Sequence, residues 1–188
     1  MGQRLVVSLI ENEETIAVVY YHWSAYFQST IYELRDLCKD ILKAKGEGKD
    51  ILPVVLDGLE AKGGGIGFSP DNLLEAAKRF PGRANREDIS RNNGLLYLGE
   101  KEIKDALAMA EGTAKIYLDT GEVSNDVDHC DYIPWELGDG FVELHSVRIH
   151  VDPFDMNMGQ CIELAEYLET MTKVYLESLK RKENGDGL

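Results

Sequence analysis

Two β-branched runs open the chain, Arg4-Leu5-Val6-Val7-Ser8-Leu9-Ile10 and Thr15-Ile16-Ala17-Val18-Val19-Tyr20-Tyr21, with the polar Glu11-Asn12-Glu13-Glu14 between them. That order predicts a β-hairpin. Both strands are almost continuously apolar, as expected where a sheet is covered on both faces. Next, Ile31, Leu34, Leu37, Cys38, Ile41 and Leu42 recur at helical intervals, and Thr30 stands three positions before Glu33, the spacing of a capping box. A helix over 30–45 follows, stopped by Gly46-Glu47-Gly48. The apolar run 51–59 fits a helix or a short strand, with Pro53 able to sit in a first helical turn.

Residues 63–67 hold four glycines and read as a loop. Ser69 then has the features of an N-cap, with Pro70 at the first helical position and Asp71 complementing the dipole of a helix to about residue 80, where Pro81-Gly82 ends it. A polar, turn-rich stretch over 83–93 leads to a strand over 94–98 and a helix over 100–110. Residues 115–119, a Thr120-Gly121 turn and 122–123 predict a second hairpin. Residues 141–151 alternate with period two, but the apolar face changes partway, which suggests a bulge or a change of environment near Ser146. Asp152-Pro153 closes that strand. Met158, Cys161, Ala165, Leu168, Met171, Tyr175 and Leu179 then form one stripe of a long amphipathic helix, with Lys180-Arg181-Lys182 at its carbonyl end.

No repeat or linker divides the chain and no βαβ rhythm runs through it. The pattern therefore predicts one α+β domain over 1–182, a mainly antiparallel sheet packed by helices including the long C-terminal one, and a frayed tail over 183–188. A doubly wound α/β fold is the alternative.

The chain has 188 residues, 44% of them apolar and 29% charged, enough to build a core. Its 34 acidic and 20 basic side chains leave a net charge of −14. Direct nucleic-acid binding is not expected, because binding phosphate backbones through counterion release requires clustered cations. The same charge favours a basic protein partner. Cys38, Cys130 and Cys161 are widely spaced and odd in number, so free thiols in a reducing cytoplasm are expected rather than a disulfide framework or a zinc site. Neither a signal-peptide pattern nor a membrane-length apolar run is present, which reads as a cytoplasmic protein with no membrane partner. Met1-Gly2 is not followed by the Ser or Thr at position 6 that myristoylation wants; Val6 stands there.

Candidate chemistry is sparse. His22-Trp23-Ser24-Ala25-Tyr26 falls between a strand and a helix, where a His22-assisted Ser24 nucleophile of a small hydrolase or transferase can be drawn, or a packed structural cluster. The glycine loop either binds an anion through its amides or serves the backbone alone, and it matches neither the Walker nor the dinucleotide pattern. Asp126, Asp128, His129 and Asp131 fit no EF-hand or zinc spacing, and His145 and His150 fall on opposite faces of an unbroken strand. No metal or cofactor is expected, and no catalytic residue is assigned. The most unusual feature is the stretch 119–143, where Asp119, Glu122, Asp126, Asp128, Asp131, Glu136, Asp139 and Glu143 occur without a single Lys or Arg. With Tyr132 and Trp135 among them, these acids form a candidate patch for occupying a basic groove, or a solvated acidic surface.

Four segments carry a resemblance: Met1-Gly2-Gln3-Arg4, the stretch from Tyr20 to Tyr26, Ser90-Arg91-Asn92-Asn93-Gly94-Leu95-Leu96, and Glu111-Gly112-Thr113-Ala114-Lys115-Ile116. Over about residues 1–120 they resemble a loose family of small proteins of phages, prophages and Firmicute genomes. Its members open Met-Gly-x-Arg and continue with an aromatic-Asp-Gly/Ser-Tyr-Pro segment. Ser24, Ala25 and Phe27 stand where Asp, Gly or Ser, and Pro are usual, so an activity needing that Asp is not expected here. The resemblance implies a phage accessory role. Joined to the acidic segment, it implies a counter-defence, anti-CRISPR inhibitor acting in a bacterial host on a guide-loaded Cas9-type nuclease, whose nucleic-acid channel is basic.

Overall fold

The computed structural model describes residues 3–83, 88–127, 131–137, 141–147 and 155–183. The opening hairpin forms as the pattern predicts: β1 (Leu5–Glu11) pairs antiparallel with β2 (Glu14–Tyr21) around Asn12-Glu13. Both turn residues have positive φ, 51° and 66°, as in the two-residue turns whose twist suits a hairpin. Pairing shifts between Leu9 and Ile10, a bulge the sequence pattern does not reveal.

The first helix, α1 (Phe27–Glu47), begins three residues earlier than the Thr30 capping box implies. Tyr26 is its N-cap and makes no side-chain cap bond. Thr30 sits inside the first turn instead, donating its hydroxyl to the Ser24 carbonyl at 2.7 Å. Gly48, in the left-handed region, closes the helix. The ambiguous run is a helix, α2 (Ile51–Ala61), capped by Asp50. Part of the glycine loop is a strand, β3 (Gly65–Ile66), at the sheet edge.

Ser69 caps α3 (Pro70–Arg79), accepting from the Asn72 amide at 3.1 Å, with Pro70 in the first turn as expected. A 3₁₀ turn (Arg91–Asn93) leads into β4 (Leu95–Tyr97), and α4 (Glu100–Ala108) follows. The second hairpin is β5 (Gly112–Tyr117) with β6 (Glu122–Asp126). Then come β7 (Asp131–Leu137), β8 (Phe141–Val147), β9 (Asp155–Asn157) and α5 (Met158–Glu183).

Among the described residues, seven strands form one sheet in the order β3-β4-β2-β1-β5-β6-β9, while β7 and β8 pair separately. The β1–β5 and β3–β4 pairs are parallel and the other four pairs of the large sheet are antiparallel. The fold is α+β with a mainly antiparallel sheet and a long C-terminal helix. No helix among the described residues is long and apolar enough to cross a membrane.

Alternation along the strands explains the two-sided burial. Leu5, Val7 and Leu9 of β1 and Ala17, Val19 and Tyr21 of β2 join the α1, α2 and α5 side chains in the larger core, including Ile31, Leu34, Leu56, Cys161 and Ala165. Val6, Val18, Tyr20 and Leu95 point the other way, against Ala106 of α4.

Two expectations are corrected here. The buried stripe of α5 runs through Met158, Cys161 and Ala165 to a partly buried Leu168, but Met171 is 48% exposed because α5 outruns the core. Around the end of the stripe polar contacts hold α5 on α1: Gln28 to Thr172 at 2.8 Å, Arg35 to Glu169 at 3.1 Å and Lys39 to Glu166 at 3.2 Å. The β7–β8 pairing runs without a register shift from Phe141 to Val147, so no bulge lies there. Residues 148–154 (the end of that strand and Asp152-Pro153), the tail 184–188, His129 and Cys130 lie outside the described residues, as do the side chains of Tyr175 and Leu179.

Candidate functional site

On the α4 face, the apolar layer gives way to a cavity of about 350 Å³ lined by residues from five separate segments of the chain. Arg4, just before β1, is fixed by Glu111: its amide and Nε donate to Glu111 Oε2 at 2.9 and 3.4 Å, while the Glu111 and Gly112 amides donate back to the Arg4 carbonyl. Those bonds hold the Glu111 carboxyl below its usual range. Tyr20 reaches in from β2, and its hydroxyl shares a 2.8 Å hydrogen bond with His22 Nδ1. The bond orients the imidazole, and among the described residues Nε2 has no partner.

Beside them stands the 3₁₀ turn. The His22 amide donates to the Arg91 carbonyl at 3.0 Å, and Ser90 Oγ caps the turn by accepting from the Asn92 amide. The glycine loop supports this turn from behind. A Cβ on Gly64 would stand 2.3 Å from the Gly94 carbonyl oxygen, and one on Gly67 would stand 2.3 Å from the Tyr97 ring, so both positions require glycine for close approach. The amides of Gly63, Gly64, Gly65 and Gly67 all donate to protein carbonyls, so the loop serves the backbone and offers no free anion nest.

Asn72 locks this arrangement from beneath. Fully buried, it donates to the Gly67 and Leu96 carbonyls and accepts from the Leu98 amide. Ser69, besides capping α3, donates to Glu102 Oε1 at 2.9 Å and so joins the starts of α3 and α4.

Three cations face the cavity, and they differ. Arg4 is paired with Glu111 and Lys101 with Asp105 at 2.7 Å, whereas Arg91 has no carboxylate partner among the described residues. Its guanidinium, with that of Arg4, opposes the burial that pushes the Tyr20 phenol up, and it does the same at Tyr97. Phe68 and Met109 line the cavity yet remain 46% and 48% exposed. Trp23, also half exposed, meets the His22 ring edge-on at 5.1 Å.

His22 and Ser24 take separate partners. Ser24 is buried on the α1 side and donates to Glu33 Oε1 at 3.2 Å, while His22 belongs to the α4 cavity. Burial pushes the Glu33 carboxyl up to about 7 against the opposing pull of Lys62 and of the Ser24 hydrogen bond. Cys38 and Cys161, 123 positions apart, meet as buried free thiols between α1 and α5. Their mutual hydrogen bond and burial hold the Cys38 thiol far above its ordinary range.

The acidic segment is spread over two sheets. Asp119 is exposed and accepts from the Asn12 amide at 2.5 Å, and Glu122 and Asp126 are exposed on one face of β6. Asp131, Tyr132, Trp135 and Glu136 fall on β7, and Glu143 falls on β8 opposite Trp135. Asp128 and Asp139 lie outside the described residues. No group of three metal-ligating side chains occurs among the described residues.

Sequence reasoning assigned no role to Arg4, Arg91, Lys101 or Tyr97. Arg4, Tyr20 with His22, and Arg91 come from separate segments of the sequence that the fold brings to one cavity, with Glu111 clamping Arg4 from behind, and no local pattern joins them. No protein-family model, curated protein or solved structure matches the chain.

Proposed function

We propose that this chain is a ligand-binding protein whose α4 cavity holds a small anionic molecule. The observation that carries the reading is Arg91: a guanidinium with no carboxylate partner among the described residues, lining the same cavity as an oriented His22 whose Nε2 likewise has none there, in a chain whose net charge is −14. In such a chain an uncompensated cation in a concave, partly apolar site is a recognition element for an acid group, since charge-assisted bonds to guanidinium are the strong ones. Arg4 and Lys101 are held and largely neutralised by Glu111 and Asp105, which leaves Arg91 as the cation free to meet an acid group among the described residues. Isothermal titration with inorganic phosphate tests this. Saturable binding is expected, lost in Arg91→Ala and kept in Lys78→Ala, which alters an exposed cation on α3. Equal binding by both variants would remove the cavity from consideration.

A second reading rests on the β6 face. Glu122 and Asp126 are exposed there and Asp155 of β9 is exposed beside them, so part of the acidic segment forms a surface able to meet a basic partner. Joined to the phage resemblance, this is the counter-defence reading, in which the acids enter the basic nucleic-acid groove of a guide-loaded Cas9-type nuclease. Capture on that nuclease at low and moderate salt tests it, with charge reversal at Asp126, Asp128 and Asp131 expected to weaken capture without unfolding the protein. Capture unaffected by that variant would reject the acidic patch.

A further inference from the structure

An anion site explains Arg91 and His22 and leaves most of the cavity wall without a role. A bare phosphate or carboxylate fills a small part of 350 Å³, a volume within the range of organic-ligand pockets. The remaining wall is aromatic and apolar. Tyr20 and Tyr97 stand on adjacent strands on the same face, one diagonal step apart in the β2–β4 register. Phe68 projects from a well-anchored lip: the Gly67 amide bonds the Leu96 carbonyl on one side of it and Ser69 bonds Glu102 on the other. With Met109, 48% exposed on the same cavity, the half-exposed Phe68 ring gives the mouth an apolar rim. Acceptors for ring N–H or sugar hydroxyl groups are present as well, in the carboxylates of Glu102 and Asp105.

We infer that the cavity takes a phosphorylated planar heterocycle of mononucleotide size, with its phosphate at Arg91 and His22 and its ring against Phe68 and the tyrosines. The inference rests on the reading of the cavity as an anion site and adds a ring subsite to it. A single nucleotide is favoured over a strand, because the surrounding charge of −14 repels a phosphate polymer while one phosphate is met locally by Arg91. Stacking on an aromatic side chain tolerates any base, since each presents a π-face.

The test is calorimetry on the full chain with adenosine and uridine 5′-monophosphates, ribose 5-phosphate, adenosine and inorganic phosphate. At least one mononucleotide is expected to bind roughly tenfold or more tightly than both ribose 5-phosphate and its own nucleoside, the scale of one stacked base. Phe68→Ala, at a half-exposed position that the fold does not need, should bring the mononucleotide towards ribose 5-phosphate and leave ribose 5-phosphate unchanged. Arg91→Ala should weaken every phosphate and spare adenosine. Ribose 5-phosphate binding as tightly as both mononucleotides would overturn the ring subsite and leave the anion site standing. No binding by any phosphate would overturn both readings. Adenosine binding as well as its monophosphate, with Arg91→Ala innocuous, would overturn the phosphate end and with it the proposal.

Discussion

On the α1 side of the sheet, Leu5, Val7, Leu9, Val19 and Tyr21 meet Ile31, Leu34, Leu56 and Cys161 in one continuous apolar layer. On the α4 side, Val6, Val18, Tyr20 and Leu95 meet Ala106 and the partly buried Ile89, Tyr97, Ile103 and Ala110, and this smaller layer then opens into the cavity of Arg4, His22 and Arg91. The same two strands supply both layers through alternate residues, so the difference comes from what is laid over them. Three helices, among them α1 of 21 residues and α5 of 26, close one face; the nine residues of α4 bury Glu102 and Ala106 and pack Ile103 only in part, which covers less of the other. Stability therefore resides mainly on one side, and the other is left free to carry polar chemistry.

The sharpest way to break this contrast is to truncate one residue on each side. Leu34 is fully buried, and Leu34→Ala should lower unfolding free energy by about 2–5 kcal/mol, the range for leucine truncation in a packed core. Met109, 48% exposed at the cavity, should change it by no more than about 0.5 kcal/mol when made alanine. Urea denaturation measures both. Similar losses at the two sites would show that the α4 face supports the fold as much as the α1 face does.

The dense side also contains a carboxyl that the fold holds partly against its charge. Glu33 is raised to about 7 from an ordinary 4.5, chiefly by burial, so the folded state keeps the proton that the unfolded state gives up. Below about pH 4.5 both states are protonated and nothing is lost; as pH rises from there through 7, stability falls by about 2–3 kcal/mol. Burial raises Asp40 in the same direction. Glu33→Gln keeps an oxygen to accept the Ser24 hydroxyl and removes the ionisation. It should match the parent at pH 4 and exceed it by about 2–3 kcal/mol at pH 8. Equal urea midpoints at pH 8 would show that water reaches Glu33 and that this end of the α1 face is less closed than its apolar layer suggests.

How far each side is legible in the sequence follows the same division. The α1 side is written in local patterns: Ile31, Leu34, Cys38 and Ile41 recur at helical spacing, and the β1 and β2 runs show burial on both faces. Ser69 with Pro70 announces a helix start that the structure keeps. Thr30 misleads because its hydroxyl donates to the Ser24 carbonyl from within a helix that begins upstream at Phe27. The short strands β3 and β9 carry no periodicity of their own and exist because β4 and β6 offer them edges. The cavity is hidden for the same reason on a larger scale. Arg4 joins Glu111 across 107 positions through the parallel β1–β5 pairing, and Arg91 reaches His22 through one backbone bond.

A smaller effect separates the cavity's frame from its contents. Ser69 caps α3 and also bonds Glu102, so Ser69→Ala removes one cap and one link between helices, and about 1–2 kcal/mol should be lost. The loss should be accompanied by weaker mononucleotide binding with ribose 5-phosphate binding unchanged, because the lip carrying Phe68 loses one of its two anchors. Thermal denaturation and calorimetry on one preparation read both. A full loss of stability with binding untouched would detach the lip from the site.

The smallest expected change in stability is at the residue that matters most for binding. Arg91 is exposed, contributes no ion pair among the described residues, and enters the fold through its backbone carbonyl, which accepts from His22 whatever the side chain is. Arg91→Ala should therefore leave the urea midpoint within about 0.5 kcal/mol of the parent, the usual range for surface changes. Removing a cation that faces Tyr20 and Tyr97 should let both phenols titrate higher, since Arg91 opposes their upward shift by burial. Ultraviolet titration of the tyrosines detects that rise without any ligand present. An unchanged phenol titration would place the guanidinium away from the cavity wall, and the contrast between a load-carrying face and a binding face would then need another cation to sustain it.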